Sequence, residues 1–163
     1  MGSWFWQIFM DIFKEIDFHD CRVYAFGLSP DCYKLLIDVD WIVSRKLCNG
    51  NFIFYISPST FVFSNVWDID IDITMNSYLT IDSIEIISTN EPRNVRVLCK
   101  NATEYTLRIN FLEGSITFRT IDFTIFQRKN ELETTISNLN ENERDGISLS
   151  MTGKIKKVRL ASI

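Results

Sequence analysis

The sequence predicts a mainly β (α+β) domain, with an N-terminal helix packed on a curved antiparallel sheet, a sandwich or half-barrel of about 7–8 strands. Three observations carry this. Ile, Val, Thr, Phe, Trp and Tyr make up 64 of the 163 residues and Ala only 3, and β-branched and aromatic side chains fit a pleated, half-buried surface better than a helix. From residue 20 onward the apolar positions recur with period two rather than 3.6. Turn-forming stretches such as "SPDC" (29–32) and "CNGN" (48–51) interrupt the pattern at short intervals.

The exception to period two comes first. Over residues 4–16, Phe5, Ile8, Phe9, Ile12 and Ile16 recur at helical spacing, opposite Gln7, Asp11, Lys14 and Glu15. The polar stripe is not basic, so this helix is expected on a sheet face rather than on a membrane. "CRVYAFGL" (21–28) then reads as a strand. In "YKLLIDVDWIV" (33–43), Leu35, Ile37, Val39, Trp41 and Val43 share one face, and Leu36, Asp38, Asp40 and Ile42 the other.

"FIFYI" (52–56) and "TFVFSNVWDIDIDI" (60–73) give two more strands, the second long enough to bend. "LTIDSIEII" (79–87), "NVRVLC" (94–99) and "EYTLRINF" (104–111) follow. "SITFRTIDFTIF" (115–126) pairs back after a tight turn at Glu113-Gly114. Its apolar phase slips between Phe118 and Ile121, which predicts a bulge near Arg119-Thr120. The chain then turns polar. Residues 1–150 are expected to form one globular domain, and 151–163 a basic tail, mobile or at best a late strand.

Composition narrows the function classes. The net charge is −4, but the last 13 residues carry Lys154, Lys156, Lys157 and Arg159 and no acid, leaving −8 on residues 1–150. Such a body repels nucleic acid and attracts basic partners. No apolar run reaches the roughly 18–20 residues of a membrane span. The apolar start has no basic n-region, so no signal peptide is expected and the cytoplasm is the expected location. Cys21, Cys32, Cys48 and Cys99 lie far apart without a C-x-x-C pair. Reduced thiols are expected rather than zinc, with one disulfide an open alternative.

The stretch "WDIDIDI" (67–73) is the most distinctive feature. On a strand, Asp68, Asp70 and Asp72 point the same way, successive ones roughly 6.5–7 Å apart, with Ile69, Ile71 and Ile73 turned to the core. Calcium or magnesium needs oxygens converging to about 2.0–2.6 Å from one point, and a straight strand holds carboxylates parallel. No metal site, cofactor or catalytic residue is expected. The ladder is either a solvated face or a binding face, and Asp38 and Asp40 repeat the pattern on a second strand. Trp67 adjoins the ladder, but its parity with Ile69 turns it inward. His19, the lone histidine, with Asp20 and Cys21 beside it, is expected to make structural hydrogen bonds at the start of the first strand rather than a nucleophile pair.

"FHDCRV" (18–23), "LLIDVDWI" (35–42), "FYISPSTFVFSNVWDIDIDI" (54–73) and "LNENERDGISLS" (139–150) together resemble a group of small bacterial proteins. Their pattern runs F-H-D, L-L-L-D-I-D-Y-I, F-W-V-[SA]-P-A-T-L-V-F, N-V and E-R-G-G-I-S-F. The resemblance covers residues 18–150. Trp41 stands where the pattern has Tyr, Ser59 where it has Ala and Asp145 where it has Gly, and the basic tail is extra. These proteins resemble immunity proteins of polymorphic or contact-dependent toxin systems. The resemblance implies a non-enzymatic protein that binds a neighbouring strain's toxin domain, often a nuclease, and occludes its active site. It also implies that the shared His19, Asp20, Asp38 and Asp40 are scaffold and that Asp68, Asp70 and Asp72 are the better contacts. The expected partner-binding set is therefore Asp68, Asp70, Asp72 and Trp67, with Asp38 and Asp40. The alternatives are a metal-dependent hydrolase using Asp68, Asp70 and Asp72, and a structural assembly subunit.

Overall fold

A computed structural model describes residues 16–31, 33–74, 78–94, 96–97 and 102–160. Among the described residues it is a mainly β structure, one open antiparallel sheet with almost no helix. The strands are β1 (Arg22–Ser29), β2 (Lys34–Cys48), β3 (Asn51–Ser64), β4 (Trp67–Ile73), β5 (Leu79–Asn90), β6 (Glu104–Phe111), β7 (Gly114–Thr120), β8 (Asp122–Gln127), β9 (Leu132–Thr134) and β10 (Lys154–Val158). A four-residue helix, α1 (Glu141–Arg144), precedes β10. The order across the sheet is β10-β8-β3-β2-β1-β5-β6-β7-β4, and β9 pairs with β3. The helix expected over 4–16 lies outside the described residues, apart from the buried Ile16.

The ten strands of the described residues exceed the expected number because the polar and basic C-terminal stretches add β9 and β10 and the run 115–126 divides into β7 and β8. The tail is thus a late strand: Lys154–Val158 runs antiparallel to β8. One expected strand is corrected. The described residues of 94–99 form turns, because Asn94 is held in a reciprocal amide pair with Asn65, at 2.8 and 3.0 Å.

The alternation places the core. On β2, Leu35, Ile37, Val39 and Trp41 are buried, as are Phe61 and Phe63 on β3 and Ile109, Ile116, Phe118, Phe123 and Ile125 on β6–β8. Phe63 stacks on Phe123 (centroids 4.4 Å) and meets Phe118 edge-on at 4.8 Å. Phe18 caps Phe61 and Phe123 at 5.6 and 5.7 Å. Burying each such ring is worth about 1.5–3 kcal/mol relative to exposing it.

Two strand breaks shape the sheet. The long run 60–73 turns at Asn65 (φ 54), which passes the chain from β3, beside β2, to β4, beside β7. Asn tolerates this left-handed conformation better than most residues. The apolar slip after Phe118 is a break at Ile121 between β7 and β8, rather than the expected bulge at 119–120. The Ile121 and Thr120 donors both bond the Ser64 carbonyl, at 3.2 and 2.7 Å, so the two breaks brace each other. At the other junction, β1 and β5 pair at Arg22↔Thr80 and Val23↔Leu79, and the backbone bonds of Ile81 to Asp20 and Cys21, at 2.9 and 2.8 Å, continue the seam.

Candidate interaction surface

The two aspartate ladders have opposite fates. Asp38 and Asp40 are fully buried, which corrects the expectation of a second acidic outer face. The polar segment after β8 crosses that face of β2 and brings arginines with it. Arg144 donates to Asp38 from Nη2 at 2.8 Å and to Asp40 from Nε at 3.1 Å, and its guanidinium lies 3.5 Å over the Tyr24 ring. Arg128 donates to Asp38 at 2.6 Å. The Ser148 and Leu139 amides and the Tyr24 hydroxyl fill remaining carboxylate lone pairs, at 3.0, 2.8 and 2.7 Å. Burial lowers the Arg144 pKa, but Asp38 and Asp40 outweigh it and the net shift is upward. These carboxylates are spent inside the fold and cannot greet a partner.

α1 is built to deliver Arg144. Asn140 caps it, accepting from the Glu143 amide while Glu143 bonds back to the Asn140 amide, a reciprocal capping box. Asp145 ends it at φ 58, a conformation for which Gly is favoured and Asp tolerated.

The second ladder is exposed. β4 is the last strand of its end of the sheet, so one backbone edge has no partner strand among the described residues. A register shift between Trp67 and Asp70, with Asp68 at φ 52, takes Asp68 out of the alternation. Asp68 is bracketed by Arg93 and, at 3.8 Å, Arg119. The expected row of three is therefore a pair, Asp70 and Asp72, both exposed and without an ion-pair partner among the described residues. Ile71 between them is 47% exposed, while Ile69 and Ile73 pack on the core. Trp67 is half-buried with its ring 5.1 Å from Tyr33 and its indole nitrogen enclosed, so it offers a partner little.

No group of His, Cys, Asp or Glu among the described residues could hold a metal ion. His19 and Asp20 knit the start of β1: His19 Nδ1 lies 3.3 Å from the Asp82 carbonyl oxygen, and Arg45 reaches Asp17, Asp20 and the His19 carbonyl at 3.0–3.4 Å. Cys21 is buried and free, Cys48 exposed and free. No helix of the described residues is long and apolar enough to cross a membrane.

The sequence reading missed the arginines. Asp38 and Asp40 share a row with Leu36 and Ile42, and apolar neighbours on both sides mark a covered face. Arg128 and Arg144, flanking the polar stretch, were the available counter-charges. The reading also gave β10 no role, although its lysines and Ile155 are exposed. No family model, curated protein or solved structure matches this chain.

Proposed function

We propose that this chain is a cytoplasmic, non-catalytic immunity protein that binds a basic toxin domain of nuclease type and occludes its active site. The sequence resemblance supplies the class. The observation that carries the docking site is the edge of β4, which has no partner strand among the described residues and where Asp70 and Asp72, without an ion-pair partner among those residues, flank the exposed Ile71. In this reading the two strand breaks curve the sheet into a half-barrel, and β4 is its acidic rim. Carboxylates at a rim act mainly on the rate of encounter.

The test is association kinetics with the toxin domain encoded beside this chain, at two ionic strengths. Asp70→Asn with Asp72→Asn is expected to slow association about tenfold at low salt and to flatten its salt dependence. An unchanged rate and slope would overturn the placement. Asp38 and Asp40 are excluded from the contact set by their burial, and Asp68 is expected to contribute least because Arg93 already neutralises it.

A further inference from the structure

The sheet ends in two edges of opposite charge. At one end is β4, "WDIDIDI"; at the other is β10, "KIKKV". Edge strands present unpaired backbone groups, and proteins commonly guard them with charge. Here the guard is selective. Two β4 edges repel each other, and so do two β10 edges, but a β4 edge and a β10 edge attract. We propose that β10 of one copy adds antiparallel to the β4 edge of a second copy, an edge unpartnered among the described residues, joining the molecules head to tail.

The backbone phase agrees with the charge phase. The Thr74 amide donates to the Glu113 carbonyl in the same register that pairs Asp72 with Ser115 and Asp70 with Thr117. Residues of even number on this part of β4 therefore face β7, and Ile71 and Ile73 aim their amides and carbonyls at the free edge. On β8, the Arg128 amide bonds the Pro58 carbonyl in the β3–β8 register, so Gln127, Ile125 and Phe123 turn towards β10. Their partners Lys154, Lys156 and Val158 are thus occupied, and Ile155 and Lys157 face outward.

One register satisfies both edges: Ile71 opposite Ile155, with Asp70 opposite Lys156 and Asp72 opposite Lys154. Outward-facing backbone meets outward-facing backbone at Ile71 and Ile155, 47% and 59% exposed in the single copy. Both charge pairs fall at non-hydrogen-bonded positions, where antiparallel side chains come closest. A slip of one residue breaks the backbone match; a slip of two costs one of the two ion pairs. The bulge at Asp68 ends the pairing on one side. The interface is heterologous, so it grows a chain of copies or closes a ring.

The test is sedimentation velocity on the full chain. Without toxin and at low salt, the sedimentation coefficient of the wild type is expected to rise with concentration, and this rise is expected to vanish in 0.5 M salt, where the screening length shrinks to about 4 Å and exposed pairs attract little. Asp70→Lys with Asp72→Lys makes both edges basic; Lys154→Glu with Lys156→Glu makes both acidic. Each variant alone is expected to stay monomeric, and an equimolar mixture to associate again, which also shows that both fold. Asp70→Cys mixed with Lys156→Cys is expected to give a cross-copy disulfide identified by peptide mass, and Lys157→Cys none. A wild type monomeric at every concentration, variants that associate as the wild type does, or a mixture that stays monomeric would each overturn the proposal. A disulfide to Lys157→Cys instead would overturn the register. This measurement needs no toxin, and Lys154→Glu with Lys156→Glu leaves β4 intact for toxin binding, so failure here and failure of the immunity reading are distinct results.

Discussion

Cys21 shows how one buried side chain ties stability to pH. It is fully enclosed, accepts a hydrogen bond from the Ile42 amide at 3.4 Å, and burial pushes its pKa from an ordinary 9.0 up to about 12. Tyr24, half-buried, shifts upward from 10.0, first by burial and then by its bond to Asp40. In both cases the fold holds the proton more tightly than the unfolded chain does. The Cys21 contribution is therefore whole below about pH 9 and is lost as pH rises from there towards 12, at up to about 1.4 kcal/mol per pH unit; that of Tyr24, weakened by solvent, is lost only as pH rises above 10.0. Urea midpoints measured from pH 8 to 11 are expected to fall, and Cys21→Ala to flatten the first part of that fall. At pH 8 a thiol reagent is expected to modify Cys48 and spare Cys21. Equal slopes in wild type and variant would remove Cys21 as the cause.

The segment from Leu139 to Ser150 has little regular structure beyond α1, yet it covers the ladder face of β2. Its hold is ionic and hydrogen-bonded: Arg144 and Arg128 reach Asp38, and the Ser150 carbonyl accepts from Thr60 Oγ1 at 2.7 Å. Breaking a buried pair by removing one partner leaves an uncompensated charge and costs about 3–5 kcal/mol. Arg144→Met is expected to destabilise by that amount in urea unfolding. Asp40→Asn in the same background is expected to recover part of the loss, because Asp40 then has no ion-pair partner among the described residues while Asp38 keeps Arg128, a coupling a double-mutant cycle measures. Strictly additive losses would show that Arg144 acts through packing on Tyr24 instead. The limits of sequence reading lie at this scale. Period two marked the residues of β1 to β8 as extended because each strand has a core face, although it broke β3 at 57–59 and ran β3 into β4 and β7 into β8; the same alternation at Asp38/Asp40 and at Asp70/Asp72 cannot say whether the polar row meets water or a covering segment. That is decided by Arg128 and Arg144, 90 and 106 residues from Asp38, and long-range partners leave no local pattern. Asp68 was misread for a different reason: a bulge with positive φ is a backbone event that alternating letters conceal.

For the molecule as a whole, the question is whether the two parts of the sheet, β10-β8-β3-β2-β1 and β5-β6-β7-β4, unfold as one. Their direct seam is the short β1–β5 pairing, two residue pairs extended by the backbone bonds of Asp20 and Cys21 to Ile81, and a seam so short would let either part open alone. The crossings from β3 to β4 and from β7 to β8 oppose this, since each carries one strand run into both parts. Phe63 stands where they meet, against Phe118 on β7 and Phe123 on β8. The run of alternating apolar residues on both sides of 65 and 121 was legible in the sequence, but not that the chain changes neighbours at those points. The physical consequence is a shared aromatic centre rather than two cores. Phe63→Ala, which empties a fully buried site, is expected to cost about 3–5 kcal/mol. It is also expected to lower hydrogen-exchange protection in β2–β3 and in β6–β7 by similar amounts, with urea unfolding remaining a single transition. Loss of protection confined to β2, β3 and β8, with β6 and β7 unchanged, would mean that the short seam governs and that the molecule is two cooperative units sharing one chain.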